Sequence, residues 1–189
     1  MQIAGEYKKQ LLDFFHAKEA FKLGKFTLSS GKESDYYLDC RVVASDNQGL
    51  QLICDSIFDL VCKKRVLFDS VGGPAFGADL LVGGILINMR YDKLTGWILR
   101  PRPKEHGISS EIVGTLGKRT IIVDDVATSG HSILRAVNYA RENGSEVVMA
   151  ICVVDRLEGA HQLLKENKVR FQSLLTANDF RERQNASNL

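Results

Sequence analysis

TIIVDDVATSGHSILRAV, residues 120–137, carries the densest chemical pattern in the chain. A mostly apolar run leads into two adjacent acids, Asp124 and Asp125. Ala127, Thr128, Ser129 and Gly130 then form a small-residue turn into a helix-like stretch. A strand–turn–helix of this kind gathers free backbone N–H groups and the positive end of a helix around one point, which suits a phosphate. Thr128, Ser129 and Ser132 add hydroxyl donors, and Gly130 permits an unusual φ and a close backbone approach. Paired carboxylates can each accept a hydrogen bond from the vicinal hydroxyls of a ribose. The spacing is neither that of a Walker loop nor G-x-G-x-x-G, and no lysine follows to reach terminal phosphates. The plain alternative is a strand–turn–helix whose acids merely cap the helix. Paired acids followed by Thr-Ser-Gly directly off an apolar strand favour phosphosugar binding.

Outward from this stretch, apolar strands alternate with helical patterns. Residues 66–73, 96–99, 119–123, 146–154 and 169–175 read as strands, and 77–89, 129–143 and 158–167 as helices. Such alternation predicts an α/β fold with a central parallel sheet covered on both faces. Ligands of such sheets bind beyond the carboxyl ends of the strands. Ahead of the sheet, residues 6–20 read as an amphipathic helix, and 25–28 with 36–39 as a small hairpin outside the main core. Asp46 is placed to N-cap a helix running to about residue 64. The polar tail RERQNASNL reads as frayed. One domain over 1–189 follows, with a hood mainly in about 1–42 and a core in about 43–180.

Bulk properties set limits. The chain has 189 residues, 44% hydrophobic and 25% charged, with a formal net charge of +2, so its total charge does not call for nucleic acid or an anionic membrane. Cys40, Cys54, Cys62 and Cys152 form no C-x-x-C pair and sit in or beside apolar stretches, which reads as buried free thiols of a cytoplasmic protein. The N-terminal stretch has no continuous apolar run of the signal-peptide kind, and 80–89 is far short of a bilayer span.

Four further segments carry chemistry. ILRPRPKEHGISSEIVG (98–114) sets Arg100, Arg102, Lys104 and His106 within seven residues on a non-periodic stretch, the composition of a mobile anion clamp. FTLSSGKESDYYLDCR (26–41) places a serine-rich turn beside aromatics able to stack on a flat ring. VGGPAFGAD (71–79) puts glycines and Pro74 directly after a strand, where backbone can approach an anion. Arg156 ends the strand VVDR (153–156), and arginine takes a carboxylate bidentately better than lysine does.

Together these segments resemble the type I phosphoribosyltransferase family, and within it the orotate phosphoribosyltransferases. The resemblance runs from about residue 10 to residue 180. It implies the type I phosphoribosyltransferase fold, with Asp124 and Asp125 on the ribose hydroxyls and Val126, Ala127, Thr128, Ser129, Gly130, His131 and Ser132 around the 5-phosphate. His131 stands where the family usually has a small residue. Arg100, Lys104 and His106 are expected to grip the departing pyrophosphate from a loop, 100–112, that closes over the active site of a second subunit, so a homodimer is implied. Thr128, Arg156, Tyr37 and Ser29 are the expected orotate contacts. Mg²⁺, held mainly by the substrate, is the expected cofactor. The substrates implied are 5-phosphoribosyl-1-pyrophosphate (PRPP) and orotate, and the products orotidine 5-phosphate and pyrophosphate, in UMP biosynthesis. Three positions depart from the common pattern: Ser29, Gly77 and Pro101 stand where lysines or other basic residues are frequent. Two rival readings follow from those departures, a phosphoribosyltransferase for another base and a PRPP-sensing DNA-binding regulator that keeps the fold. A non-catalytic nucleotide-binding module is a third, opposed by the cationic loop.

Overall fold

The computed structural model describes residues 5–27, 33–89, 93–101 and 111–187, with side chains as far as residue 183. Helix α1 (Gly5–Ala17) leads into the antiparallel ribbon β1 (Phe21–Thr27) and β2 (Glu33–Leu38). A short α2 (Cys40–Ala44) and α3 (Asn47–Lys63) follow. Asp46 accepts hydrogen bonds from the N–H groups of Gln48 and Gly49 and so starts α3 where expected, a cap worth about 1 kcal/mol.

The main sheet comprises β3 (Ser70–Pro74), β4 (Thr95–Leu99), β5 (Ile112–Gly114), β6 (Arg119–Ala127), β7 (Glu146–Asp155) and β8 (Phe171–Thr176). Its order is β5-β4-β3-β6-β7-β8. All neighbours run parallel except β5, which is antiparallel to β4 and gives the sheet one reversed edge. Helices α4 (Asp79–Asn88), α5 (His131–Glu142), α6 (Ala160–Glu166) and α7 (Ala177–Ser187) complete the chain. No helix among the described residues is long and apolar enough to cross a membrane.

Alternation along the strands divides the core between the two faces. Ile121 and Val123 of β6, with Met149, Ile151 and Val153 of β7, pack with α1, α3 and α4. Ile122, Ala150 and Cys152 point the other way, onto Ile133, Ala136, Val137 and Ala140 of α5. Strands buried on both faces carry near-continuous apolar runs for this reason. The chain reverses its direction of travel across the sheet between β3 and β6. Their carboxyl ends therefore flank the crevice where open α/β sheets take ligands.

Several expectations need correction. The strand read over 66–73 begins only at Ser70: Leu67 is exposed, and Asp69 only borders the strand through backbone bonds to Arg119 and Thr95. The non-periodic stretch 98–114 ends in a strand that was not expected, β5, whose three residues pair with Trp97–Leu99. The strand read over 119–123 continues to Ala127 and carries both acids within it. The tail RERQNASNL is helical as far as Ser187, since Phe180 is buried against Phe15 and Phe21 and anchors α7. Cys62 is exposed, whereas the other three thiols are buried.

Candidate active site

The site is built at the crevice between β3 and β6. Strand β6 is buried through Ile121, Ile122 and Val123 and delivers Asp124, itself buried, and Asp125, partly buried, to the carboxyl edge of the sheet. The Asp125 N–H donates to Asp124 Oδ1 (3.0 Å), and the Val126 N–H donates to Asp125 Oδ1 (2.7 Å), so both carboxylates are fixed by local backbone. Burial and the adjacent Asp125 charge push the Asp124 carboxyl well above the usual carboxylate range. Burial pushes Asp125 up too, opposed by the Val126 N–H and the Arg41 charge. Two acids held close together and partly dehydrated favour a ligand that brings donors or positive charge.

Beyond Ala127 the chain turns through Thr128, Ser129 and Gly130 into α5. Gly130, the N-cap of α5, sits at φ 83 and makes no side-chain cap bond, so first-turn N–H groups of α5 are not capped from that position. A cavity of about 70 Å³ lies there, lined by Asp124, Val126 to Ser132 and Ile133. A side chain at Gly130 would also meet the Ala160 backbone at 3.0 Å. His131 is exposed, with Nδ1 3.0 Å from Ser129 Oγ.

The turn after β3 closes on the acids from the other side. A Cβ at Gly77 would lie 2.2 Å from Asp124 Oδ1 and 2.5 Å from Asp125 Oδ1. A side chain at 77 would require the two carboxylates to shift. Gly77→Ala is accordingly expected to displace the carboxylates and to weaken binding of a ribose phosphate by about tenfold or more, with calorimetric affinity for PRPP as the measurement.

A more open cavity of about 370 Å³ joins Asp125, Val126, Phe76 and Gly77 to Tyr37 and Arg41 below the ribbon. Tyr37 leans on Phe26 and donates to Asp39 Oδ2 (3.2 Å). Arg156 stands just past β7, its N–H bonded to the Ala127 carbonyl (2.9 Å) at the start of the phosphate-type turn. Asp155 is buried and accepts the Leu157 N–H (2.8 Å), and Leu157 adopts φ 61, so the chain bends sharply after Arg156. The Arg156 guanidinium donates to Glu158 Oε1 (2.9 Å) and to Ser34 Oγ (3.2 Å) and lies 4.6 Å from the centre of the Tyr36 ring.

At the far side, Arg100 follows β4 and its N–H bonds the Glu111 carbonyl (2.8 Å). Arg135 of α5 donates to the carbonyls of Arg100 and Pro101. One helix thus presents its N-terminus to the turn and, a turn later, holds the root of the cationic segment. Lys104, His106 and Ser29 lie outside the described residues.

With this geometry in view, residues 75–180 match the phosphoribosyl transferase domain family. The orotate phosphoribosyltransferase of Methanopyrus kandleri is 39% identical over 175 residues, which is 92% of this chain and 92% of that protein. The chain belongs to the orotate phosphoribosyltransferase family. The crystal structure of the orotate phosphoribosyltransferase from Aeropyrum pernix is 30% identical, with a TM-score of 0.80, over 93% of this chain and 98% of that one. That of Mycobacterium tuberculosis H37Rv in complex with 5-phospho-alpha-D-ribosyl 1-diphosphate is 26% identical, with a TM-score of 0.75, over 92% of this chain and 98% of that one. The expected fold is thereby shown, with its mixed sheet.

Within this orotate phosphoribosyltransferase scaffold, the structure gathers Asp124, Asp125 and Val126 to Ser132 around one crevice, with Arg156 beside it. Tyr37 lines the same open cavity as Asp125. Arg41, whose charge acts on Asp125, went unmarked in the sequence because it lies at the end of the hood pattern. Tyr36 and Glu158, the immediate surroundings of Arg156, were also missed. Glu158 is only two residues away in sequence, but Tyr36 is separated from Arg156 by most of the chain.

Proposed function

We propose that the chain transfers ribose 5-phosphate from PRPP to orotate, giving orotidine 5-phosphate and pyrophosphate in UMP biosynthesis. The observation that carries this is the buried acid pair beside a helix turn left uncapped by Gly130, with an anchored arginine alongside. Family membership supports it. In this reading Asp124 and Asp125 accept hydrogen bonds from the ribose hydroxyls, and the turn 126–132 holds the 5-phosphate with backbone N–H groups and the Thr128, Ser129 and Ser132 hydroxyls. His131 lends a further donor at the rim. Arg156 receives the orotate carboxylate, with Tyr37, Thr128 and Ser29 about the ring.

The reaction passes through an oxocarbenium-like ribose as pyrophosphate leaves. The residues of the chain supply alignment and charge neutralisation rather than covalent chemistry. Arg100, Lys104 and His106 stabilise the departing oxygens, and exclusion of water protects the activated sugar from hydrolysis. The carboxylates of Asp124 and Asp125 are hard oxygen donors with raised proton affinity, which fits a site that also receives Mg²⁺. Among the described residues no three metal-binding side chains are gathered, so the substrate oxygens would complete the shell. When bound, Mg²⁺ supplies charge neutralisation on the pyrophosphate and ribose oxygens.

A homodimer belongs to the same reading, because the loop 100–112 is proposed to serve the partner's site. Helix α4 is apolar almost throughout, and its outer face shows Leu80, Gly83 and Ile87 in one stripe continuing from Phe76. Ile87 is 83% exposed and Phe76 71%, exposures that a second copy of the chain would relieve. Burying one such side chain is worth about 1.5–3 kcal/mol. Ile87→Asp is therefore expected to shift the protein toward monomer by at least roughly tenfold in dissociation constant, read by sedimentation. An unchanged dimer would place the interface elsewhere.

The deciding experiment is a steady-state assay with Mg²⁺, PRPP and a panel of bases. Consumption of orotate is expected. Turnover of a purine or of uracil without orotate would replace the acceptor, and PRPP binding without any turnover would favour a sensor.

A further inference from the structure

We propose that Arg181 of α7 is a positioning residue of the acceptor site, holding the Tyr36 platform on which the Arg156 guanidinium rests. The inference rests on the proposed role of Arg156 toward orotate and adds to it a residue from the far end of the chain. Arg156 uses Nε on Glu158 and Nη2 on Ser34. Nη1 takes part in neither of these bonds, which leaves an edge of the guanidinium to meet a carboxylate. Its side chain is only 9% exposed, and its direction depends on what lies against its flat face. That neighbour is the Tyr36 ring, at 4.6 Å.

Tyr36 belongs to β2, in a two-stranded ribbon outside the main sheet. Isolated ribbons of this size are marginal and need external support. Support comes from two sides. Phe21 stacks on Tyr36 at 5.3 Å and on Phe180 of α7 at 4.8 Å. Arg181, the next residue on α7, binds both carboxylate oxygens of Asp35 at 2.9 Å and lies 5.4 Å from the Tyr36 ring. Asp35 and Tyr36 are adjacent in β2, so a single guanidinium fixes the strand and backs the ring. Arg156, Tyr36, Ser34, Glu158 and Arg181 all border one cavity of about 310 Å³, so displacement of Arg181 is felt there directly.

The Arg181–Asp35 pair is largely exposed, at 44% and 72% of the side chains. Pairs of that kind contribute little to stability. A positioning effect can therefore be separated from unfolding. Arg181→Gln is expected to raise the orotate KM roughly five- to tenfold, while kcat, the PRPP KM and the melting temperature stay near wild type. Arg181→Lys, which keeps a cation for Asp35, should recover most of the loss. Arg183→Gln, on the same helix as Arg181, is the control: it breaks a contact to Asp13 of α1 and should leave the orotate KM unchanged. An Arg181→Gln enzyme with wild-type orotate KM, or one in which both Michaelis constants rise alike, overturns the inference. So does an Arg183→Gln enzyme equally impaired. Wild-type turnover of orotate is the reference. If it is absent, the acceptor assignment itself falls; if it is present, these outcomes judge Arg181 alone.

Discussion

Asparagine at both 124 and 125 is expected to yield a protein that folds more stably and no longer binds PRPP. Asp124 is 5% exposed, and burial together with the neighbouring charge raises its proton affinity, with Asp125 shifted the same way. The folded state therefore holds protons at a pH where the unfolded chain has released them. Stability conferred on the folded protein by these protons is full below the ordinary carboxylate range. It declines as the pH rises through the raised folded values. At neutral pH the pair is a strain on the apo protein, relieved in wild type only by a ligand that donates hydrogen bonds or brings positive charge. The amide keeps an oxygen for the Asp125 and Val126 N–H groups and removes the repulsion. Each kcal/mol so gained raises the melting temperature by about 2–4 °C. Hydrogen bonds to charged groups contribute about 1.5–3 kcal/mol each, so losing two weakens PRPP by roughly 10²- to 10⁴-fold. Calorimetric titration with PRPP and melting curves from pH 5 to 8 check both halves. A variant that binds as before, or that melts lower with the same pH slope, would make the acids structural.

Arg156→Ala is expected to raise the orotate KM by about 10²-fold or more, with a much smaller change for PRPP. Truncating one member of a hydrogen-bonded charge pair in a sheltered site costs about 2–5 kcal/mol, and the guanidinium is fixed by Glu158, Ser34 and the Tyr36 ring before any substrate arrives. Such preorganisation places the full cost on acceptor binding. Arg156→Lys should recover only part of it, since a point charge cannot reproduce the planar fork or the stacking. Steady-state constants for the two substrates in both variants are the measurement. Equal rises for donor and acceptor would remove Arg156 from the acceptor side.

What could be read from the amino acids follows the distance over which each contact is made. The acid pair, the turn and the helix behind it occupy one stretch of 18 residues, so their chemistry was apparent without a fold. Arg156 was found because it ends an apolar strand. Edge strand β5 was not, because three residues inside a polar stretch show no period. The polar composition of the tail concealed α7, which is anchored by one buried ring, Phe180, packed on Phe15 and Phe21. Distance along the chain hid Tyr36 beneath Arg156, and Arg135 at the root of the cationic segment, 34 residues from Pro101. Gly77 was read as a lost lysine. Only the placement of both carboxylates reveals it as a position where a side chain would crowd them.

The attachment of the hood to α7 also governs the order of assembly. Strand β6 meets β3 across 50 positions, a shorter closure than the hood requires, so the half proposed to hold the phosphate closes the shorter loops. Asp35 meets Arg181 across 146 positions, and Phe21 meets Phe180 across still more. Contacts that close loops of this length form late, because the ordering entropy must be met before any of them forms. During synthesis the ribbon gains this support only once residues 177–183 have left the ribosome.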